Sequence, residues 1–192
     1  MRKIFANRLL VLCLILVNTA ARAEPQSYVL QPETSSVGFE TDFGQDKITG
    51  RMPVSQADLS LDFQNVAAST VAVTLDVTGA EASFPFAAQA MKGPKVLDSQ
   101  GFPTISFTST AVAKDGDGAR VRGNITIRGV SQPTELHAEI YRQKGSEAGD
   151  LSHLVIRLTG AVQRSDFGAT GWNDMVGDQV RLDILARIQR VE

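Results

Sequence analysis

The chain alternates apolar and polar residues in short segments along most of its length. Near the C-terminus, every second residue from Val180 to Ile188 is apolar and its neighbours are polar, with Leu185 the one exception. Successive side chains of a strand point to opposite faces, so this pattern predicts strands with one buried and one solvated face. Its recurrence in most segments indicates a closed or sandwiched antiparallel sheet.

The alternation recurs in eight to ten segments joined by mostly short connections. Short connections predict antiparallel neighbours in sequential order, with one crossover where the pattern stops. That interruption, residues 79–101, contains an alanine-rich run and Gly93-Pro94, so we expect one or two short helices there. The predicted fold class is all-β, an eight-stranded antiparallel barrel with a short helical insertion. Such a barrel has room for its own side chains or for one small ligand.

Residues 1–23 have the composition of a secretory signal peptide. A basic start precedes the apolar run 9–17, and Ala21-Arg22-Ala23 provides the small residues that a signal peptidase recognises. The apolar run is shorter than the ~20 residues of a membrane-spanning helix. We therefore expect cleavage after Ala23, export to the periplasm, and a single β-barrel domain over residues 24–192.

Charge and cysteine content narrow the function classes. The whole chain has a net charge of -2, and residues 1–23 carry four basic and no acidic residues, so residues 24–192 carry -6. A mildly acidic protein is a poor electrostatic partner for nucleic acid. The one cysteine, Cys13, lies in the signal peptide. The exported domain must therefore be stabilised without a disulfide.

The sequence is poor in catalytic signals. It contains no nucleophile elbow, phosphate-binding loop or zinc-binding helix motif. Both histidines, His137 and His153, alternate with charged residues, which predicts that they lie on the solvated face. We therefore expect no enzymatic activity and no metal site. A hydrolase using His153 with Asp166 is the weakest hypothesis.

Two segments interrupt the alternation, and each has two interpretations. Arg164, Asp166 and Trp172 lie in the last long loop. In one interpretation, these residues hold the polar end of a ligand at the barrel mouth. In the other, an Arg–Asp pair fixes the loop and Trp172 plugs the barrel end. The crossover is rich in Phe and Met. It packs as a lid, or it lines a tunnel for a flexible apolar chain, and the two roles are compatible.

Several segments together resemble the YceI-like family over about residues 25–190. The segments that carry the resemblance are Ser35-Ser36-Val37-Gly38-Phe39, Gly101-Phe102-Pro103-Thr104-Ile105-Ser106-Phe107, Gly123-Asn124-Ile125-Thr126-Ile127-Arg128-Gly129-Val130 with Pro133, Arg164-Ser165-Asp166-Phe167-Gly168, and Val176-Gly177-Asp178-Gln179-Val180. The resemblance implies an exported, lipocalin-like barrel of eight antiparallel strands with a short helical insertion. It also implies an apolar tunnel for a polyisoprenoid or a similar long-chain amphiphile, and no catalysis.

The leading hypothesis is thus a periplasmic binding or carrier protein for a polyisoprenoid, an isoprenoid quinone or a fatty-acid-like amphiphile. Burying such a chain contributes ~0.8 kcal/mol per methylene, so few polar contacts are needed. The alternative is a filled barrel that acts as a structural or stress-related interaction module. The predicted ligand-binding residues are Val37, Phe39, Phe43, Phe84, Phe86, Met91, Phe107, Ile125, Ile127, Arg164, Asp166 and Trp172. We expect no cofactor beyond a bound isoprenoid lipid or quinone, no more than transient membrane contact, and a monomer or homodimer.

Overall fold

The structure is a computed structural model that describes residues 24–142, 147 and 149–191. The predicted signal peptide and its cleavage site lie outside the described residues. Within the described ranges, no helix has both the length and the apolar composition needed to cross a membrane.

Strands account for most of the described part of the chain, with one α-helix in the crossover. In chain order the elements are β1 Gln26–Leu30, β2 Ser36–Phe43, β3 Asp46–Met52, β4 Val54–Leu61, β5 Thr70–Asp76, β6 Glu81–Ala82, α1 Pro85–Lys92, β7 Thr104–Asp115, β8 Gly118–Ile127, β9 Val130–Arg142, β10 His153–Gln163 and β11 Val176–Arg190. Helix α1 has Pro at its start, where the missing N–H removes no intrahelical bond, and it ends before Gly93. The crossover therefore contains one α-helix, which ends just before Gly93-Pro94.

Eight strands form a closed antiparallel ring in the order β1-β4-β5-β7-β8-β9-β10-β11, which closes through the pairing of β1 with β11. Strand β11 is 15 residues long and has two partners on the same side. Its N-terminal part pairs with β2 and its C-terminal part with β1. The predicted eight-stranded antiparallel barrel with a short helical insertion is confirmed.

Pro53 interrupts the alternating segment 47–54, and a proline at such a position predicts a bent strand or an edge. Pro53 separates β3 from β4, because a proline has no N–H to donate to the ladder. Strand β4 stays in the barrel wall beside β5, while β3 pairs with β2 and with the two residues of β6. The crossover follows the edge of β3, where the Ser83 N–H donates to the Thr49 carbonyl at 2.7 Å. The crossover thus lies at the place where the wall opens.

Buried side chains form three clusters, one at each end of the barrel and one on the wall of β7, β8 and β9, which consists of Val112, Ala119, Val121, Leu136 and Ala138. At the end that holds the 62–69 connection, which we call the closed end, Tyr28, Leu61, Leu154 and Ile188 form one core cluster. At the opposite end, which we call the mouth end, a second cluster lies beneath the crossover and the 164–175 loop; it includes Met52, Val77, Ala80, Ile105 and Phe167. The most deeply buried large residues, Leu154, Ile188 and Val77, all belong to these two clusters.

The closed-end cluster predicts a large cost for Leu154→Ala. Leu154 is 2% exposed, so its truncation leaves a cavity and should lower the free energy of unfolding by about 2–5 kcal/mol. Val29→Ala, at a 50% exposed position on a nearby strand, should change it by less than about 0.5 kcal/mol. Urea denaturation of both variants measures the difference, and equal midpoints would contradict a tightly packed closed end.

Candidate functional site

The barrel encloses a cavity of about 500 Å³, within the range of small-molecule sites. Every strand of the ring contributes to its wall, together with α1 and the loop before β11. The lining is almost entirely apolar. The charged side chains that line it are Asp62 and Arg164, and the hydroxyl side chains are Ser35, Ser36, Thr41, Ser69 and Thr134. Such a cavity suits a molecule that buries apolar surface and makes few polar contacts.

Side chains in the middle of the barrel show that its interior is not filled. Val73, Leu158 and Leu182 line the cavity, yet each remains partly exposed. Because these residues point inward, their free surface faces the cavity and not the outer solvent. At the two ends, by contrast, Val77 and Leu154 are almost completely buried. The barrel is therefore packed at its two ends and along the wall of β7, β8 and β9, and the cavity lies between them.

Eleven of the twelve residues predicted to bind ligand line this one cavity. They are Val37, Phe39, Phe43, Phe84, Phe86, Met91, Phe107, Ile125, Ile127, Arg164 and Trp172. Asp166 does not line it, which corrects that part of the prediction. Its side chain is exposed, because the Arg164–Phe167 turn directs Arg164 and Phe167 inward instead. Contact between the eleven residues and a ligand stays a prediction.

Other lining residues were absent from the predicted set, and only some had a sequence signal. Leu59, Leu61, Val71 and Leu182 follow the same alternation as Phe39, so the pattern already placed them on the inner face. Met175, Val66 and Asp62 line the cavity from connections. No periodic pattern extends into those connections, so their position depends on how the loops fold back over the barrel ends.

Arg164 fixes the loop at the mouth end. Its buried guanidinium donates to the carbonyls of Ala169 at 2.5 Å, Gly171 at 2.8 Å, Val176 at 2.9 Å and Gly177 at 2.9 Å. The planar arrangement of its N–H donors allows one side chain to hold several acceptors at once. These bonds tie the turn after β10 to the start of β11, so Arg164 organises the loop and four of its five N–H donors are engaged by backbone carbonyls.

The predicted Arg–Asp pair is wrong, because Arg164 bonds to backbone carbonyls. The carboxylate that fixes this turn is Asp178, which accepts from the Ser165 N–H at 2.9 Å and from the Ser165 hydroxyl at 2.7 Å. Asp166 contributes its backbone carbonyl to Gln132 at 3.3 Å. The loop is therefore fixed by internal bonds with partners other than the Arg–Asp pair, and its role in holding a ligand stays a prediction.

Asp62 is the second charged group on the cavity wall, and it too is held by backbone. Its carboxylate accepts from the N–H groups of Gln64 at 2.8 Å and Asn65 at 2.7 Å. A buried carboxylate satisfied in this way stabilises a turn. Like Arg164, it therefore has a structural partner at one end of the barrel.

Three segments frame the opening of the cavity at the mouth end: the β2–β3 turn, the chain from α1 to residue 97, and residues 171–176. The Gly44 N–H donates to the Met175 carbonyl at 3.0 Å, and the Gly171 N–H donates to the Lys95 carbonyl at 2.9 Å. Four residues in or next to these segments are both exposed and part of the cavity wall: Phe84, Phe86, Trp172 and Met175. The cavity therefore reaches solvent here, and we call these four residues the rim.

A second opening lies in the side of the barrel. The ladder between β1 and β4 ends at the pair Tyr28–Leu59. The next ladder along the same two stretches of chain, between β2 and β3, begins at the pair Val37–Met52, so the residues between these two pairs form no ladder with each other. Cavity-lining residues flank this interval on both strands: Leu30, Ser35, Ser36, Val54 and Ala57. Ser36 is exposed as well as lining, so the wall is incomplete at this point.

The charged residues of β2 lie on the outer face. Glu40 and Asp42 alternate with the inward Phe39 and Thr41, and both contact Arg181 on β11. The pKa of Glu40 is lowered, first by its hydrogen bond from the Lys47 ammonium at 2.7 Å and then by Arg181. Arg181 likewise lowers the pKa of Asp42. Both carboxylates therefore keep their charge outside the barrel at neutral pH.

The histidines lie on the outer wall, as predicted. His137 and His153 are both exposed. His153 begins β10 and Asp166 follows its end, so about 33 Å of strand separates them. The hydrolase hypothesis is wrong, because the two side chains lie at opposite ends of the barrel.

Comparison with known proteins gives a consistent result. The sequence model of the YceI-like domain matches residues 28–188. The YceI protein of Escherichia coli O157:H7 is 26% identical over 133 residues, covering 69% of this chain and 68% of the relative. The crystal structure of Burkholderia cenocepacia BcnA superimposes with a TM-score of 0.73 at 18% identity, covering 83% of this chain and 99% of that one.

A second solved structure is a polyisoprenoid-binding domain from Saccharophagus degradans implicated in plant cell wall breakdown. It has a TM-score of 0.60 at 11% identity, and the match covers 86% of this chain and 99% of that domain. At these identities the two structural matches show a shared barrel fold.

The bonds of Arg164 predict that Arg164→Lys destabilises the protein. One ammonium cannot reach four carbonyls, and each buried acceptor left unsatisfied costs about 1–3 kcal/mol, so we expect a loss of about 3 kcal/mol. Asp166→Asn, on the same turn, should change stability by less than about 0.5 kcal/mol because its carboxylate is exposed. Thermal unfolding of both variants measures this, and a larger effect at Asp166 would refute the assignment.

Proposed function

The chain belongs to the YceI-like domain family, and from that premise we propose that it binds a long apolar molecule inside its barrel. The observation that carries the proposal is the hollow cavity of about 500 Å³ with an almost wholly apolar wall. The ligand class we propose is a polyisoprenoid, an isoprenoid quinone or a fatty-acid-like amphiphile. The related structure described as a polyisoprenoid-binding domain supports the first of these.

The energetics of the cavity favour a long chain over a short one. Each buried methylene contributes ~0.8 kcal/mol. Association costs roughly 4–15 kcal/mol because the ligand loses translational and rotational freedom. A chain of about five methylenes would hardly offset that cost, whereas about fifteen would gain ~12 kcal/mol. Chain length is therefore the property that this cavity selects most strongly.

The polar part of the ligand has a suitable position at the mouth end. There the Trp172 indole and the Lys95 ammonium lie close together, with the ammonium 6.0 Å from the ring centre. Farther in, Phe39, Met91 and Phe107 line the wall. Phenyl rings and thioethers adapt to a flexible, branched chain. An amphiphile would thus lie with its tail along the barrel and its head at the rim.

Binding and carrying a ligand explains the cavity better than catalysis does, and better than a structural role for a filled barrel. The titratable side chains that line it, Asp62 and Arg164, are both bonded to backbone. The partly exposed inner residues favour a vacant interior over a solid structural module. Together with the predicted signal peptide and cleavage after Ala23, this leads us to propose a periplasmic binding or carrier protein.

Two measurements test the proposal. Protein purified from its native host without detergent is denatured and analysed by mass spectrometry, and we expect a co-purified long-chain amphiphile. Delipidated protein is then titrated with a prenyl quinone and a prenyl alcohol while the emission of Trp172 is followed. Trp172 is the single tryptophan of the chain and lines the cavity at its rim. An empty protein that also fails to bind either compound would overturn the proposal.

A pair of substitutions on opposite walls should block the cavity. Val73→Phe on β5 combined with Leu158→Phe on β10 narrows the interior, so we expect at least a tenfold weaker binding of prenyl quinone. The free energy of unfolding should fall by less than about 1 kcal/mol, because both rings can extend into the cavity and only Leu158 also packs against the cluster on β7, β8 and β9. A filled barrel would instead lose about 1–3 kcal/mol for each overpacked site.

The matched control places the same rings outside. Thr74→Phe with Thr159→Phe changes the adjacent residues on the outer faces of the same strands. This variant should bind the quinone like the wild type. Loss of stability in the inner variant, with binding retained, would favour the filled-barrel alternative.

A further inference from the structure

We propose that the rim docks onto a lipid bilayer carrying anionic headgroups, so that the ligand passes between bilayer and cavity without crossing water. The proposal rests on the proposed function, because it assigns the source and destination of the same apolar ligand. Its surface consists of Phe84, Phe86, Trp172 and Met175 with the two neighbouring lysines, Lys92 and Lys95.

Exposed apolar side chains are concentrated at the mouth end. The described part of the chain has nine large hydrophobic residues that are exposed, and six of them lie at this end. The six are Phe84, Phe86, Phe102, Val130, Trp172 and Met175. Phe86 is 75% exposed, the highest value among them. A cluster of this kind marks an interaction site, because single exposed hydrophobics are ordinarily scattered.

The rim is continuous with the cavity, which favours a bilayer as the partner. Its four residues are exposed on one side and line the cavity on the other. If the rim entered the headgroup and upper acyl region, bilayer hydrocarbon and cavity wall would form one apolar path. Interfacial protein segments reach such depths, roughly 5–10 Å.

The crossover side of the rim is basic, whereas the protein as a whole is acidic. Residues 83–97 contain Lys92 and Lys95 and no acidic residue, while Asp174 lies in residues 171–176 and Asp46 ends the β2–β3 turn. The crossover segment therefore carries a charge of +2 on a domain, residues 24–192, whose net charge is -6. This local excess of positive charge complements anionic phospholipid headgroups.

Trp172 and Lys95 have the arrangement expected at a membrane interface. The Lys95 ammonium lies 6.0 Å from the centre of the Trp172 ring, which places a positive charge beside the exposed aromatic residue of the rim. Trp172 also has a left-handed backbone, φ 53°, which is unfavourable for a bulky residue. Such strain persists at sites where the position of the side chain has a function.

The test uses protein-free vesicles without quinone, made either of phosphatidylethanolamine with phosphatidylglycerol or of phosphatidylcholine alone. Full-length mature protein should co-sediment with the anionic vesicles and show a blue shift of Trp172 emission. Phe84→Ser with Phe86→Ser should lower the vesicle-bound fraction by about tenfold or more, because two phenyl rings no longer insert. Tyr141→Ser, at a 49% exposed aromatic far from the mouth, should leave it unchanged.

A second pair of variants separates docking from ligand binding. Lys92→Gln should weaken binding to anionic vesicles but not to phosphatidylcholine vesicles. It should leave binding of a prenyl quinone delivered in solution unchanged, because Lys92 neither lines the cavity nor belongs to the Trp172–Lys95 pair. The blocked variant Val73→Phe with Leu158→Phe should still co-sediment. If it lost vesicle binding as fully as the rim variant, phospholipid entry into the cavity would explain the signal and docking would be refuted.

Two further outcomes would also overturn the docking proposal. If wild-type protein binds quinone in solution but does not co-sediment with either kind of protein-free vesicle, docking is refuted and the proposed function is unaffected. Binding only to vesicles that contain membrane proteins of the host would indicate a protein receptor instead. Vesicle binding without any quinone binding would support docking and would contradict the proposed function.

Discussion

The structure depends on the closure of the barrel through β11. Only three residue pairs join β1 to β11, Tyr28–Arg190, Val29–Gln189 and Leu30–Ile188, yet they complete the hydrogen-bonded ring. Closing the ring pairs each of its eight strands with two neighbours, so most backbone groups of the wall are satisfied without help from a solid core, although the wall is incomplete beside Ser36. This allows the middle of the barrel to stay hollow. Because β11 continues beyond this junction to pair with β2, the same strand also supports the hairpin that frames the mouth.

A hollow barrel has to obtain its stability away from its centre. At the closed end, Leu154 and Ile188 are buried as deeply as the core residues of a solid domain. At the mouth end, Phe167 packs beneath the crossover while Arg164 binds four carbonyls of the adjoining loop. The two ends, together with the buried cluster on β7, β8 and β9, therefore provide the packing that surrounds the cavity. Substitutions at the ends should affect stability, whereas substitutions in the middle should affect occupancy.

The sequence predicts the wall of this protein better than its openings. Alternation places Phe39, Phe107 and Ile125 on the inner face, because the period of a strand is local and independent of the partner strand. It also marks Pro53 as a break, since a proline cannot donate to a ladder. The conformation of the loops depends on long-range contacts, and these produce no periodic pattern in the sequence. Arg164 bonding to carbonyls rather than to Asp166, and Met175 joining the rim, follow from how the chain folds back over the barrel end.

The bonds of the two charged groups on the cavity wall explain what kind of selectivity this barrel has. Asp62 and Arg164 are both engaged by backbone, at opposite ends, so neither offers a free charge to a ligand inside. The wall between them is apolar and discriminates by the length and thickness of a chain. In the function proposed above, chemical discrimination falls to the rim, where Lys95 and Trp172 would meet the polar part of an amphiphile. In that proposal the interior determines how much chain is held, and the rim determines which headgroups and which surfaces the barrel accepts.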